Sequence, residues 1–255
     1  MNLTYESRRP LLEIACFNGQ SGVHAEQGGA DRIELCHDYT SGGLSPDPAV
    51  LSGLKAQVAI PVYVMIRPRA NDFLYSNQEF EVMKSTMMTL KNAGADGFVF
   101  GILNHVPSDN PTCSWIDERN KQLVQLAGEK PCTFHRAFDC IPEECWGTAL
   151  KDLAECGFAS ILTSGGPSGD TAIECVDRLA ELFQQVDLVQ SQIPAVFVPE
   201  IIVGGGVRSS NIQLLWERTH ARAFHSSALV TGDCVEPSEV KDLVNSLSTV
   251  SIAKD

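Results

Sequence analysis

Short apolar runs, rich in β-branched and aromatic residues, alternate with amphipathic stretches along the whole 255-residue chain. Apolar runs of this length, bounded by turn residues, are typical of buried strands. The predicted strands are Leu11–Cys16, Arg32–Cys36, Val62–Arg67, Gly97–Ile102, Cys132–Phe138, Ser160–Thr163, Glu200–Val203 and Ala223–Ser226. Their starts lie about 20 to 40 residues apart, which indicates consecutive βα units.

The stretches between the strands carry helix start signals and one apolar face each. One helix is expected to begin at Ser45 with Pro46 in its first position, where proline is favoured. Another is expected after Ser76, because Ser76 and Glu79 have the spacing of a capping box. The residues predicted to form buried helix faces are Val50, Leu51, Leu54 and Val58; Phe80, Met83, Met87 and Leu90; Ile173, Val176, Ala180 and Phe183; and Val240, Leu243, Val244 and Leu247. Met and Phe at helical spacing are expected to be core residues.

Eight strands, each leading to a helix or a loop, favour a closed parallel (β/α)8 barrel of the TIM type. The alternative is an open doubly wound sheet, which would need a GxGxxG turn after its first strand. Residues 16–22 read CFNGQSG and do not fit that turn. No linker divides the chain, so residues 1–255 are predicted to form one domain, with residues 1–10 as an extension and residues 249–255 as a tail.

Composition narrows the classes of partner. The formal net charge of −13 and the lack of a basic stripe argue against nucleic acid, whose phosphates are neutralised by Lys and Arg. No apolar run approaches the length of a transmembrane helix, so no membrane partner is expected. The nine cysteines include no CxxC pair, which favours free thiols in a reducing compartment such as the cytoplasm, with the nucleus also compatible.

Ionisable residues occupy strand positions that barrels normally fill with Val, Ile and Leu. These residues are Glu13, Glu34, Arg67, His135, Arg136 and His225. Buried charges need partners, so they form either a ring of structural ion pairs or a ligand site. Polar residues crowd the carboxyl ends of the predicted strands, where barrel enzymes keep their chemistry, and this favours a ligand-binding face.

A glycine-rich turn follows the seventh predicted strand. Gly204, Gly205 and Gly206 there, with Ser226 and Ser227 after the eighth strand, are similar to the phosphate site of many barrels. Bare backbone N–H groups and hydroxyls would meet an anion at such a site. The alternative is that the three glycines only supply a tight turn with positive φ.

Two cysteines end the first two predicted strands. Neighbouring strands lie about 4.8 Å apart, so the sulfurs of Cys16 and Cys36 are expected to approach each other. A thiolate pair suits Cu(I), and the same spacing suits a disulfide. The third alternative is a pair of inert core cysteines.

Several motifs together resemble the CutC family of copper homeostasis proteins. They are LLEIACFN, GGADRIELC, SGGLSPDPAVL, IPVYVMIRPRANDFLYS, TFHRAFD, ILTSGG, GGGVRSSN and HSSA, in this order from residue 11 to about residue 228. The resemblance implies a (β/α)8 barrel, a homo-oligomer and cytoplasmic copper handling, with Cys16 and Cys36 as copper ligands. The family's usual Gly-Gly after IRPR is Ala70-Asn71 here, and Asn tolerates left-handed backbone, so that loop is expected to survive.

Three hypotheses follow for the function. The first is a copper-binding protein that holds Cu(I) between Cys16 and Cys36. The second is an enzyme acting on a small anionic or phosphorylated substrate, and the third is a vestigial barrel that serves as an oligomeric scaffold. The residues assigned to the enzyme are Glu34 and His135 as general acid or base, Arg67, Arg69 and Arg136 as anion clamps, and Asp139 as the orienting carboxylate.

The hypotheses make geometric predictions. Glu34, Arg67 and His135 should point into the barrel near its carboxyl end and contact one another or shared water. The N–H groups of residues 204–206 should point toward Ser226 and Ser227 and form an anion pocket. Sulfurs of Cys16 and Cys36 on opposite sides of the barrel wall would argue against the copper pair.

Overall fold

A computed structural model describes residues 9–104, 114–167, 169–230 and 232–250. Eight parallel strands close into a barrel in chain order, so the (β/α)8 prediction is confirmed. The strands are β1 (Leu11–Cys16), β2 (Arg32–Leu35), β3 (Val62–Met65), β4 (Gly97–Phe100), β5 (Cys132–Phe134), β6 (Ser160–Thr163), β7 (Glu200–Val203) and β8 (Ala223–Ser226). The residues predicted as an N-terminal extension and a C-terminal tail fall mostly outside the described ranges.

Helices pack outside the strands. They are α1 (Gly19–Gly28), α2 (Pro48–Lys55), α3 (Asn77–Asn92), α4 (Arg119–Ala127), α5 (Trp146–Cys156), α6 (Val176–Gln192), α7 (Ile212–Thr219) and α8 (Pro237–Ser248). None of the helices described is both long enough and apolar enough to span a membrane.

Strand ends differ from the prediction where loops take over. The predicted strand Cys132–Phe138 ends at Phe134, and a short 3-10 helix, Arg136–Cys140, follows at once. His135 causes this change because its ring nitrogen Nδ1 accepts a hydrogen bond from the Ala137 N–H at 3.2 Å. The strand residues that the prediction assigned to Arg136 and beyond therefore lie in the loop above β5.

The start of a helix was predicted correctly where the segment before it contained only one cap signal. The capping box of Ser76 and Glu79 at the start of α3 is confirmed. By contrast, the helix predicted to begin at Ser45 and Pro46 begins at Pro48, because the Asp47 side chain accepts the Ala49 N–H at 2.7 Å. Two prolines in a short segment offered two starts, and the better cap decided between them.

The predicted apolar faces are largely buried. All four residues of the α3 face, Phe80, Met83, Met87 and Leu90, are buried. In α6 the fully buried residues are Leu179 and Leu182, which the predicted face omitted, while Val176 and Phe183 are only half-buried. The buried face of α6 is thus rotated from the predicted one.

Strand alternation divides the side chains of β1 and β2 between the two sides of the barrel wall. Leu12, Ile14 and Cys16 belong to the large core between the strands and the helices. Glu13 pairs across the strands with Arg32 on β2 and His225 on β8, so these three side chains lie side by side inside the barrel. The closure of the barrel between β8 and β1 therefore creates the charged part of its interior.

Candidate functional site

A cavity of about 240 Å³ opens at the carboxyl ends of the strands. Polar and ionisable side chains from the ends of β2, β3, β5 and β8 line it, together with the glycine turn after β7. Its wall includes Glu34, Cys36, Met65, Arg67, Phe73, His135, Arg136, Gly205, Gly206, His225, Ser226 and Ser227. A concave site with converging polar groups at this face is the usual position of a barrel's ligand.

A row of alternating charges crosses the interior from β2 through β1 and β8 and back to β2. Arg32 Nε donates to Glu13 Oε2 at 2.5 Å, and His225 Nδ1 lies 2.7 Å from Glu13 Oε1. His225 Nε2 then faces Glu34 Oε2 at 3.6 Å. The row ends at Glu34, whose other oxygen, Oε1, is buried without a hydrogen-bond partner among the described residues.

The row sets the protonation of its members. Burial alone would raise the pKa of Glu13, but the charge of Arg32 and then His225 outweigh it and lower the pKa to about 2. Burial opposes the charged form of His225, yet Glu34 and Glu13 together raise its pKa. Burial raises the pKa of Glu34 to about 7 against the opposing effect of His225, so the Glu34 carboxyl exchanges protons near neutral pH.

His135 lies on another part of the cavity wall and has a different protonation state from the residues of the row. Burial and then the charge of Arg67 lower the pKa of His135 to about 3, so its imidazole is neutral. Since Nδ1 accepts the Ala137 N–H, the ring proton must lie on Nε2. That Nε2–H group is buried and has no partner in the part of the chain that the structure describes.

Arg67 braces two loops of the cavity mouth. Its Nη1 donates to the carbonyl oxygens of Ser41, Gly42 and Gly43, and its Nη2 donates to that of Asn71 at 3.1 Å. Asn71 has a φ of +74°, the left-handed backbone expected where the family's usual glycine is replaced. The guanidinium also lies 4.9 Å from the centre of the Phe73 ring. Arg67 thus donates to carbonyls from both terminal nitrogens, while its buried Nε has no hydrogen-bond partner within the described ranges.

The predicted direct contact among Glu34, Arg67 and His135 is not formed, whereas the alternative of contact through shared water stays a prediction. All three residues line the same cavity, but no hydrogen bond or ion pair joins any two of them within the described ranges. Glu34 is paired with His225 instead, because the two lie at neighbouring places on the inner wall. His225, Glu13 and Arg32 were not chosen as site residues from the sequence. Their signal was available: all three are ionisable residues within predicted strands.

Arg136 forms the cationic part of the cavity rim. Its Nε donates to Asp139 Oδ2 at 2.6 Å, and its Nη2 donates to Ser164 Oγ at 2.9 Å. Asp139 is buried and also accepts from the Thr163 hydroxyl and the Ser164 N–H. The orienting role predicted for Asp139 is thus exerted on Arg136. In the described part of the chain, Arg136 Nη1 makes no hydrogen bond.

The glycine turn differs from the prediction at its first residue. The Gly204 N–H donates to the Thr163 carbonyl at 2.9 Å, so it is not free to bind an anion. Gly205 and Gly206 line the cavity with φ of +93° and +73°, and their N–H groups have no partner within the described ranges. A Cβ at Gly205 would lie 2.9 Å from the Ser164 side chain, so only glycine fits there.

The two serines contact a cation that was not selected from the sequence. The Ser226 hydroxyl donates to the Val207 carbonyl at 2.7 Å and accepts from Arg208 Nη1 at 3.1 Å. The Ser227 hydroxyl accepts from Arg208 Nη2 at 3.3 Å. The orientation of the glycine N–H groups toward the serines stays a prediction, and the side chain that both serines contact is that of Arg208. Its position directly after the glycines, in the GGGVRSSN motif, was the sequence signal.

Arg69 lies away from the cavity, contrary to its predicted place. Its Nε donates to Glu79 Oε1 at 2.5 Å and its Nη2 to Asp72 Oδ1 at 2.9 Å. The guanidinium is thereby held at the start of α3, where Glu79 is part of the capping box. Sequence proximity to Arg67 suggested a common role, but the loop directs the two arginines to different surroundings.

Cys16 and Cys36 face opposite sides of the barrel wall. Cys16 packs in the core between strands and helices, where its Sγ donates to the Ile14 carbonyl at 3.5 Å. Cys36 lies in a separate cluster inside the barrel with Tyr63, Met65 and Val99, and it lines the cavity. Both thiols are free rather than disulfide-bonded, and burial, followed by the charge of Glu34, raises the pKa of both.

Sulfur ligands are few at the cavity wall. Among residues 9–104, 114–167, 169–230 and 232–250, no group of three or more His, Cys, Asp or Glu side chains is arranged to hold a metal ion. The sulfur-rich part of the cavity wall is limited to Cys36 and the neighbouring Met65. A Cβ placed on Gly43 would lie 3.3 Å from Cys36 Sγ and 3.6 Å from Met65 Cε, so this loop closes tightly over both.

Comparisons with known proteins agree with one another. The family model described as the CutC family matches residues 10–230. A human copper homeostasis protein cutC homolog is 41% identical over 226 residues, which cover 88% of this chain and 75% of that protein. The CutC family protein of Salmonella typhimurium is 36% identical over 219 residues, covering 86% of this chain and 79% of that protein.

Solved structures extend the comparison to the fold. The crystal structure of CutC from Streptococcus agalactiae superposes with a TM-score of 0.73 at 29% identity, covering 86% of this chain and 98% of that one. Phosphoribosylanthranilate isomerase from Pyrococcus furiosus gives a TM-score of 0.59 at 14% identity, covering 94% of this chain and 100% of that one. The second likeness is one of barrel fold alone.

Proposed function

Because the chain belongs to the CutC family, we propose that it takes part in copper homeostasis, as the names of its relatives say of them, and that it does so as an enzyme. The proposed enzyme binds a small organic anion in the cavity at the carboxyl ends of the strands. The observation that carries this proposal is the meeting of an anion rim and acid–base groups in one cavity. A carrier of a soft cation has no need of either.

The rim supports an anion in three ways. Arg136 Nη1 makes no hydrogen bond to the described residues, and the guanidinium is held in place by Asp139 and Ser164. Gly205 and Gly206 present unpartnered N–H groups within the described ranges. Successive backbone N–H groups beside a fixed guanidinium are a common way to bind phosphate or carboxylate. The chain as a whole carries a net charge of −13 and repels anions. The local cationic rim therefore favours anion binding at this one part of the surface.

Cavity size limits the ligand. At about 240 Å³ the cavity is smaller than most drug-binding pockets, which start at roughly 300 Å³. A substrate of a few carbon atoms with one phosphate or carboxylate group is therefore expected. Arg136 and the glycines would hold the anionic group, and Glu34 and His135 would face the remainder.

Direct binding of Cu(I) is the second candidate, and one observation favours it. Cys36 and Met65 are neighbours in the cavity wall, and thiolate and thioether sulfurs are the ligands that Cu(I) prefers. The positions of Cys16 and Cys36 on opposite sides of the barrel wall argue against joint ligation of one copper ion by the two sulfurs. Such ligation would require the Cys16 side chain to leave the outer core, where it is fully buried.

The anion site can be tested by calorimetry with matched glycine variants. Titration of inorganic phosphate and of short phosphate and carboxylate compounds should give heat with the wild-type protein. Gly206→Asp should abolish it, because the new carboxylate adds bulk and like charge beside the rim. Gly232→Asp is the matched control, since Gly232 has a similar φ of +78° and open space around it.

The copper candidate predicts the opposite pattern. If no anion gives heat, while Cu(I) taken from a competing chelator is lost in Cys36→Ser and retained in Gly206→Asp, the enzyme proposal is wrong and direct copper binding is supported. Loss in Cys16→Ser as well would support the predicted cysteine pair. Assembly as a homo-oligomer and residence in the cytoplasm stay predictions, to be measured by light scattering and by fractionation of cells.

A further inference from the structure

We propose that the cavity catalyses proton transfer at a carbon next to a carbonyl group, with Glu34 as the base and the His135 Nε2–H as the donor that stabilises the resulting enolate. The proposal rests on the proposed anion site and names its reaction and substrate class. The substrate would be a small α-hydroxycarbonyl compound with a phosphate or carboxylate group. His225, Glu13 and Arg32 would act as positioning residues for Glu34.

Three residues of the cavity wall, Glu34, His135 and Arg67, each have a buried polar atom without a hydrogen-bond partner within the described ranges, and the first two suit proton transfer. Glu34 Oε1 and His135 Nε2 are both buried, belong to residues lining the same cavity, and have no hydrogen-bond partner within the described ranges. Each residue is only 3% exposed. Buried polar atoms are rarely left unpaired, because the loss costs about 1 to 3 kcal/mol for each group. A ligand that accepts from His135 and gives a proton to Glu34 would satisfy both.

The tautomer of His135 decides its role. Its Nδ1 is occupied by the Ala137 N–H, so Nε2 is a donor and cannot serve as a base. A neutral imidazole that donates to a carbonyl oxygen stabilises the negative charge that develops there in an enolate. The neighbouring ring of Phe73, 4.7 Å away, fixes the orientation of the imidazole.

Glu34 has the properties of the base. Its pKa of about 7 lets it take a proton from carbon as a carboxylate and return it as an acid at neutral pH. The charged or titratable groups facing it are His225 from β8, Glu13 from β1, and Arg32 and Cys36 from its own strand and strand end. His225 Nε2 lies against Oε2, which leaves Oε1 for the substrate.

The step balances without a further reactant. The Glu34 carboxylate forms an O–H bond with the proton of the carbon next to the carbonyl. The electron pair of that C–H bond forms the carbon–carbon double bond of the enolate, and the carbonyl π pair moves to the oxygen that His135 faces. The Glu34 carboxylic acid then returns the proton to the same carbon, which gives exchange, or to the former carbonyl carbon after a hydroxyl proton shifts to oxygen, which gives the isomer.

Exchange with solvent tests the proposal. The wild-type protein is incubated in D2O with phosphorylated α-hydroxyketones and with α-hydroxyketones that carry a carboxylate group, and loss of the C–H signal is followed by NMR. Deuterium should enter next to the carbonyl of at least one compound that binds in the calorimetric assay. Exchange in the phosphorylated compounds identifies phosphate as the anionic group of the substrate, and exchange in the carboxylates identifies carboxylate.

Substitutions of Glu34 and His135 test the roles proposed for these two residues in proton transfer. Glu34→Gln should lower the exchange rate by about 100-fold or more, whereas Glu217→Gln on the exposed face of α7 should leave it unchanged. His135→Phe should lower the rate while sparing binding of the anion. Glu34→Asp, which keeps an acid, should retain part of the rate if the loss in Glu34→Gln is chemical. Circular dichroism melting of each variant distinguishes this loss from unfolding.

The pH dependence of the exchange rate tests the positioning role proposed for His225. The exchange rate should rise with pH around pH 7, because only the Glu34 carboxylate takes a proton from carbon. His225→Gln should move this rise to higher pH, since removal of the cation beside Glu34 raises the pKa of its carboxyl. Binding without exchange in every compound overturns this inference and leaves the proposed anion site intact. Absence of binding overturns both.

Discussion

The two sides of the cavity bury polar groups by different means. On the side formed by β8, β1 and β2, four ionisable side chains are paired with one another in a row that ends at Glu34. On the side formed by the ends of β3 and β5, Arg67 donates to loop carbonyls and His135 is neutral. On the first side, ion pairing leaves the Glu34 carboxyl able to titrate. On the second side, a hydrogen bond from the backbone fixes His135 as an uncharged donor.

The strongest test of this contrast removes the centre of the charged row. Glu13→Gln leaves Arg32 and His225 without their shared carboxylate inside the barrel, so the free energy of unfolding should fall by about 3 to 5 kcal/mol. Urea denaturation followed by circular dichroism measures the change. Asp177→Asn is the control, because it breaks the exposed ion pair with Arg218 and should have little effect.

If charge pairing holds the row together, a second substitution should restore part of the free energy of unfolding that Glu13→Gln loses. Arg32→Gln in the Glu13→Gln background removes the cation that lost its partner, and the double variant should be more stable than Glu13→Gln alone. A cost of Glu13→Gln no larger than that of Asp177→Asn would contradict the row as a unit of stability.

The side at β3 and β5 should respond to geometry more than to charge. Arg67→Lys keeps the charge but loses the planar fork that reaches four carbonyls in two loops, so the free energy of unfolding should fall by about 2 to 3 kcal/mol. Urea denaturation measures it, with Arg69→Lys at the exposed α3 start as the matched control. Full stability in Arg67→Lys would mean that the charge alone is sufficient on this side.

The smallest expected effect is a difference in pH dependence between the sides. Glu34 has a pKa of about 7 when folded and 4.5 by itself, so it binds more protons in the folded protein and its contribution to stability falls as pH rises from about 4.5 to 7. Glu34→Gln should therefore gain at most roughly 2.5 kcal/mol relative to the wild type between pH 5 and pH 8.

His135 should give the opposite sign. Its pKa falls from 6.5 to about 3 on folding, so the folded protein binds fewer protons and loses stability as pH falls through this range. His135→Gln should reduce that acid loss and have little effect above pH 7. Parallel pH profiles of unfolding for the two variants would contradict the difference between the sides.

The sequence predicted the scaffold better than the site, and particular residues show why. Periodicity and cap signals are local, so the starts of the eight strands and the capping box of Ser76 were predicted correctly, whereas the predicted ends of β2, β3 and β4 lie beyond the observed ends. The end of β5 was wrong because it depends on a side-chain to backbone bond of His135. The start of α2 was wrong because the Asp47 cap competes with Ser45.

Site geometry depends on contacts that the sequence does not specify. Alternation places Glu13, Glu34 and His225 on the inner face, but their pairing depends on the register across the closure of β8 on β1. Cys16 has the opposite parity from Glu13, and because this parity persists to the end of β1, the predicted approach of the Cys16 and Cys36 sulfurs is not formed. Arg69 and Arg208 both stand in conspicuous motifs, and only the loop paths decide which of them approaches the cavity.

The bracing by Arg67 has a consequence for the speed and heat of ligand binding. One guanidinium ties the loop after β2, residues 41–43, to Asn71 in the loop after β3 before any ligand is bound. Little backbone freedom remains to be lost at this edge of the mouth, so preorganisation should make binding largely enthalpic with a small entropic penalty. Association should then follow diffusion and steering by the rim rather than a slow loop closure, and its rate should fall with added salt.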